Sequence, residues 1–295
     1  MELEPISAQT ADGWTLAGDL RLPEAEPVAT AVLGHAMMVT RTTMDKPRGQ
    51  GLASTLLERG FAVLNFDLRG HGQSRPTARE GGRWTYHDHI AHDQPAMWAV
   101  ARERFPNLPL ALVGHSMGCE TALIASGLYR DEAPDAILGY GPAFWTPSME
   151  SSKLMTIVEA GVLVVAEAVA LAMGCLDAPR LRLGSAAEPE PFMRHQCKMF
   201  FTDRIGSPDG EMDYTEVLAL SRTPVRVYSS ERDRFWARPV ATRRLLAKMI
   251  AAPVAQIVLP DGPGRPEPDH MAMVLSPKSR PLWEEGADWL VAELV

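Results

Sequence analysis

The chain opens on two alternating apolar and polar runs, residues 6–10 and 14–22, separated by Ala11-Asp12-Gly13. Alternation around an Asp-Gly pair predicts an antiparallel hairpin. The pattern then changes. The runs "VATAVLGHA" (28–36), "GFAVLNFDLRGHG" (60–72), "LPLALVGHS" (108–116), "AILGYGP" (136–142) and "AQIVLPDG" (255–262) are mainly apolar. "PVRVYSSERD" (224–233) is weaker, because Arg226 interrupts it. Continuous apolar runs suit strands buried on both faces of a parallel sheet. Helix-like stretches lie between them at 47–59, 88–105, 117–129, 239–251 and 279–294. The predicted fold class is α/β: a mostly parallel, doubly wound sheet with an antiparallel hairpin at its N-terminal edge.

The alternation breaks once. Between residues 142 and 224 no clear strand occurs, and so long a connection predicts an insertion or lid. The expected organisation is a core over 1–142, a helical lid over 143–213 and the rest of the core over 214–295. Within the insertion, "LMTIVEAGVLVVAEAVALAMG" (154–174) is long enough to span a bilayer but carries Glu159 and Glu167. Carboxylates at mid-bilayer cost several kcal/mol each unless paired. Eight residues apart, they share one side of a helix. The expectation is a soluble helix with a large apolar face rather than an integral membrane segment; that face is free for a pocket, a core, lipid or a homodimer contact.

Composition narrows the function. The 295 residues are 46% apolar and 22% charged, with net charge −8. An acidic chain repels phosphate backbones, so no nucleic-acid partner is expected. Three cysteines, Cys119, Cys175 and Cys197, form no disulfide framework and lack zinc spacing. The first residues have neither a basic nor an apolar region of a signal peptide. A cytoplasmic enzyme without metal or cofactor is expected.

The candidate chemistry centres on Gly114-His115-Ser116-Met117-Gly118, where a strand should end and a helix begin. A serine on such a turn is pushed outward above the sheet edge, and the flanking glycines leave room for it. Its hydroxyl needs a base, and the base an orienting group. Functional groups collect at the carboxyl ends of parallel strands. Of eight histidines, His270 alone follows the last strand-like run. For the acid, "VRVYSS" runs out into Glu231-Arg232-Asp233; Asp233 is the better placed, with Glu231 in reserve.

In order and spacing, "DGWTLAGDLRLP", "FDLRGHGQS", "LVGHSMG", "SSERDRFW" and "DHMAM" resemble the α/β-hydrolase fold superfamily, in the branch of monoacylglycerol lipases and serine aminopeptidases. The resemblance covers most of the chain. It implies a serine hydrolase with Ser116 as nucleophile, His270 as base and Asp233 as its orienting acid, in the chain order expected of that fold. It implies an oxyanion hole from the amides of Met117 and Met37. The Met37 loop is commonly His-Gly-x in the family; here it reads His35-Ala36-Met37-Met38. An alanine is strained by roughly 1 kcal/mol or more if its site requires positive φ. His35, Met38, Phe144, Trp145 and Trp236 are the candidate pocket residues.

The leading expectation is a carboxylesterase acting on a small-molecule ester or acyl substrate. The same residues also serve an acyltransferase, thioesterase, amidase or peptidase. A non-catalytic binding protein is a further class, since fold does not dictate function. "HDHIAHD" (87–93) resembles a metal cluster but reads more simply as a helix start. Cys119, within the first helical turn after Ser116, reads as packing, and Arg69 and His71 as braces of the fold.

Overall fold

A computed structural model describes residues 3–262 and 268–295. Its strands are β1 (Glu4–Gln9), β2 (Thr15–Arg21), β3 (Ala29–Gly34), β4 (Phe61–Phe66), β5 (Leu110–His115), β6 (Ala136–Tyr140), the short β7 (Cys175–Leu176) and β8 (Glu188–Pro189), β9 (Val225–Ser230) and β10 (Val254–Leu259). The main sheet has eight strands in the order β1-β2-β4-β3-β5-β6-β9-β10. The β1–β2 and β2–β4 pairs are antiparallel, and every later pair is parallel. The expected N-terminal hairpin is present, with Gly13 at its turn (φ 88°). All six later strand-like runs form strands of this sheet, including the one that Arg226 interrupts.

The principal helices are α1 (Leu52–Glu58), α2 (Gln94–Arg104), α3 (Met117–Leu128), α4 (Lys153–Met173), α5 (Glu190–Thr202), α6 (Pro239–Leu246) and α7 (Arg280–Leu294). Successive strand residues feed opposite faces of the sheet, which is why the runs are apolar throughout. Val32, Leu112 and Ile137 pack with Trp98 of α2 and Leu123 of α3. Their neighbours Leu33, Val113 and Leu138 pack with Leu56 of α1 and Trp283 of α7. Each fully buried aliphatic side chain contributes about 1.5–3 kcal/mol.

The chain between β6 and β9 holds α4, the β7–β8 pair, α5 and a short helix at Tyr214–Leu218. Helix α4 is long and apolar enough to cross a membrane by length and composition, and only 17% of its most apolar stretch is buried. Its side chains are arranged in an unusual sense. Glu159, Leu163 and Ala170 are buried, Glu167 is half-buried, and Leu154, Ile157, Val165 and Leu171 are more than 60% exposed. The shared side foreseen for the two glutamates is therefore the inner side.

Candidate active site

Three glycines prepare the seat of Ser116. Gly34 of β3, Gly114 of β5 and Gly139 of β6 lie side by side in register. A methyl group on Gly34 would crowd the backbone of Gly118, and one on Gly114 or Gly139 would overlap Cys119. The first turn of α3 thus sits directly on the strand ends, and Gly118 in turn has no room for a side chain against Gly34. Between β5 and α3, Ser116 adopts φ 50° and ψ −122°, a conformation costly for a side-chain-bearing residue. It persists because both flanks are fixed: the Ser116 N–H donates to the Tyr140 carbonyl at 2.9 Å, and the Ser116 carbonyl accepts from Cys119 and Glu120. The strained turn leaves Ser116 half-buried and lining a cavity. Cys119 packs at the sheet, and burial pushes its thiol well above the usual range.

His270 and Asp233 come together. The His270 Nδ1–H donates to Asp233 Oδ2 at 2.6 Å, and the Trp236 N–H donates to Asp233 Oδ1 at 3.0 Å. Both side chains are buried. Glu231, the reserve, is exposed and accepts instead from the Asp261 N–H. His115 ties the two halves of the site. Its Nε2–H donates to the His270 carbonyl at 3.0 Å. Burial first, and the neighbouring His270 second, hold His115 well below the usual imidazole range, so it is neutral.

The loop after β3 is held residue by residue. His35 is fully buried, and its Nδ1–H donates to the Ala36 carbonyl at 2.7 Å while its Nε2 accepts from the Leu68 N–H at 3.0 Å. Burial, then the charge on His71, keeps it neutral. In a trans peptide the C=O and N–H point opposite ways, so pinning the Ala36 carbonyl also aims the Met37 N–H. Among the described residues neither the Met37 N–H nor the Met117 N–H has a hydrogen-bond partner. Ala36 does not lie at positive φ; Met38 does, at 59°. Ala36, standing where the family commonly has glycine, is therefore unstrained, and the left-handed residue lies two positions later.

The cavity above Ser116 has a volume of about 640 Å³, within the range of small-molecule sites. Of the candidate pocket residues, Met38, Phe144, Trp145 and Trp236 line it and His35 does not; Met37 lines it too. Its far wall is the outer segment: Ile157, Val162 and Val165 of α4, with Leu181 and Leu183. Sequence reasoning missed two polar lining groups, Gln196 and, closer to Ser116 along the chain, Glu120. Lying four residues after Ser116, it is one helical turn away on the same face. Its Oε1 accepts from the Ala143 N–H at 3.0 Å and its Oε2 from the Tyr86 hydroxyl at 2.8 Å. Burial pushes its carboxyl up to about 7 despite those donors.

The remaining candidates are structural in their contacts. Arg69 is buried, pairs with Asp93 at 2.8 Å and Asp12 at 2.7 Å, and lies over the ring of Trp14. In "HDHIAHD", Asp88 accepts from the hydroxyl of Thr85, the N-cap residue, at 2.9 Å, and His89 contacts Asp93 at 2.8 Å. Asp12, Asp88 and His92 do bring potential ligand atoms within 4.8 Å of one another, but Arg69 already pairs with Asp12 and approaches Asp88 at 4.0 Å. His71 meets Glu188, a residue that the sequence did not single out.

The family model described as "Serine aminopeptidase, S33" matches residues 37–258. No curated protein sequence matches the chain. Among solved structures, the esterase Pf2001 of Pyrococcus furiosus is similar at a TM-score of 0.68 and 17% identity, covering 100% of this chain and 92% of that one. A thermostable carboxyl esterase of Bacillus coagulans gives 0.64 and 18%, covering 100% of both chains. A serine hydrolase of Xanthomonas campestris described as lacking a lid gives 0.56 and 16%, covering 98% of this chain and 95% of that one. At such identities these structures establish the fold. The match over residues 37–258 establishes more: the chain belongs to the family described as serine aminopeptidase, S33, and is an enzyme of the α/β-hydrolase fold.

Proposed function

We propose that the protein hydrolyses a carboxylic ester with an apolar acyl group, through an acyl-enzyme on Ser116. His270 Nε2 takes the Ser116 proton as Oγ bonds to the carbonyl carbon. Asp233 holds the Nδ1–H and stabilises the imidazolium that forms. The carbonyl oxygen becomes an anion that the Met37 and Met117 N–H groups receive. His270 then gives its proton to the departing alcohol. Water, deprotonated by the same nitrogen, releases the acid and restores Ser116. The segment 143–213 acts as a lid that supplies the apolar wall of the acyl site.

The observation that carries this reading is the 2.6 Å contact of His270 Nδ1–H with Asp233, together with a strained Ser116 opening on an apolar cavity. The Met37 and Met117 amides, on residues lining the same cavity and without hydrogen-bond partners among the described residues, add support, because oxyanion donors must be free in the resting enzyme. The buried thiol of Cys119 disfavours a competing nucleophile. The test is hydrolysis of p-nitrophenyl esters of graded chain length, with fluorophosphonate labelling read by mass spectrometry. Label on Ser116 and loss of both signals in Ser116→Ala are expected. An enzyme that hydrolyses no ester of two to twelve carbons and leaves Ser116 unlabelled would sink the proposal.

A further inference from the structure

Glu188 lies in β8, within the insertion, 150 residues from Met38, and is fully buried. Its Oε1 accepts the Met38 N–H at 2.7 Å and faces His71 Nε2 at 3.0 Å. His71 Nδ1–H donates to the Arg69 carbonyl at 2.8 Å, so Nε2 must also carry hydrogen to meet a carboxylate. Burial alone would lower His71, and the Glu188 charge overrides it and raises the imidazole. The other carboxylate oxygen, Oε2, is buried with no hydrogen-bond partner among the described residues. A buried carboxylate satisfied through one oxygen is expensive. Packing alone would be served better by an apolar side chain.

What this carboxylate holds is the one strained residue of the loop. Met38 sits at φ 59°, which a side-chain-bearing residue occupies only when its surroundings impose it. Glu188 takes its N–H, and the Ser185 and Ala186 amides donate to its carbonyl at 2.7 and 2.9 Å. Gly184 lies so close that a side chain there would overlap the Met38 carbonyl. Both peptide planes of Met37 are thereby fixed, one by His35 through Ala36 and the other by Glu188 through Met38. The Met38 N–H is spent, whereas the N–H of Met37, a residue lining the cavity, has no hydrogen-bond partner among the described residues.

We propose that Glu188 is a positioning residue for acyl transfer: reaching in from the insertion and paired with His71, it locks Met38 in the left-handed conformation and so aims the Met37 N–H at the substrate oxyanion. This rests on the reading of Ser116 and Met37 under "Proposed function". It makes the insertion part of the catalytic geometry as well as a wall of the pocket.

The experiment compares Glu188→Asp, Glu188→Ala and Glu188→Gln for kcat and KM on p-nitrophenyl butyrate. It adds the inhibition constant of a trifluoromethyl ketone, whose serine adduct carries the oxyanion. Glu188→Asp keeps the charge beside His71 but is one methylene too short for the Met38 N–H. It is expected to lose about 10- to 100-fold in kcat and a similar factor in ketone affinity, with KM within about twofold; the ceiling is the 10²–10³ of a lost oxyanion donor. Glu188→Ala should lose at least as much. Glu188→Gln, which keeps an acceptor oxygen for Met38, should recover most of the loss. Adding Met38→Gly to Glu188→Asp should also recover activity, since glycine takes positive φ freely. A folded Glu188→Asp with unchanged kcat and ketone affinity overturns the proposal, as does a loss confined to KM or melting temperature. If the alanine variant does not fold, the aspartate variant decides. Ser116→Ala runs alongside: activity surviving there defeats the acyl-enzyme reading itself, whatever Glu188 does.

Discussion

His115 donates its Nε2–H to the carbonyl of His270 at 3.0 Å, and the two rings lie 4.7 Å apart. The residue before the candidate nucleophile thus anchors the backbone of the candidate base. His115→Phe keeps the ring contact but leaves that buried carbonyl unpaired, at a cost of about 1–3 kcal/mol. A misplaced base slows proton transfer more than it weakens substrate binding. Expected are a fall in kcat of roughly tenfold, little change in KM and a lowered urea midpoint. Steady-state kinetics with urea unfolding check this. Unaltered kcat in a destabilised variant would leave the anchor a purely structural role.

Two glycines should respond in opposite directions to alanine. A methyl group on Gly118 would overlap the Gly34 carbonyl, where both partners are backbone. Gly118→Ala is therefore expected to displace α3 and to cost several kcal/mol, as overpacking does at its worst. Gly161 of α4 has open space around its would-be methyl group. There alanine removes a helix-interior glycine and should stabilise by about 0.5–1 kcal/mol. Chemical denaturation of both variants provides the comparison, and a neutral Gly118→Ala would mean that the seat of the elbow is looser than the strand register implies.

Glu120 gives stability a pH dependence whose sign is fixed. Burial raises its carboxyl from an ordinary 4.5 to about 7. Below pH 4.5 both folded and unfolded chains hold the proton, and its contribution is fully present. As the pH climbs toward 7 the unfolded chain ionises first, so stability is lost progressively. The total is about 3 kcal/mol. Glu120→Gln carries no such charge. Its stability should equal or trail the natural chain at pH 4.5–5 and exceed it at pH 8 by up to that amount. Parallel urea titrations at the two pH values measure the gap; one that does not widen with pH would place the charge elsewhere.

Legibility followed the range of the interactions. The hairpin, the parallel strands and the Ser116 turn announced themselves through local patterns: Asp12-Gly13 between alternating runs, apolar runs for a twice-covered sheet, glycines flanking a serine. Asp233 and His270 could be singled out as candidates because strand ends are where a parallel sheet gathers functional groups. Glu188 was not. It sits in a two-residue strand with no periodicity around it, and its importance lies wholly in a partner 150 residues earlier. The loop after β3 was half legible for a related reason. Ala36 keeps an ordinary backbone, one of the two readings its replacement of a glycine left open, but the left-handed residue is Met38, and nothing local to Met38 would pay for that conformation. In α4 the pattern gave the helix and the shared side of its glutamates, but not that this side would face inward, with Leu154 and Leu171 outside.

The last prediction concerns Asp233→Asn. Oδ1 of Asp233 accepts the Trp236 N–H at 3.0 Å and Oδ2 accepts the His270 Nδ1–H at 2.6 Å. An asparagine has only one oxygen to offer. The Trp236 amide is backbone and can only donate, so the asparagine oxygen must stay with it and the NH₂ must face His270. The imidazole, unlike the amide, can adapt by moving its proton to Nε2, which leaves Nδ1 to accept. That tautomer presents a proton to Ser116 where a base is needed. A loss of about 10⁴-fold in kcat is therefore expected at unchanged fold, the size seen when a triad base is held in the wrong tautomer. Asp233→Ala imposes no tautomer and should lose less. Measured kcat values for the two variants, with circular dichroism as the folding control, settle the order. An alanine variant slower than the asparagine one would mean that Asp233 acts chiefly through its charge.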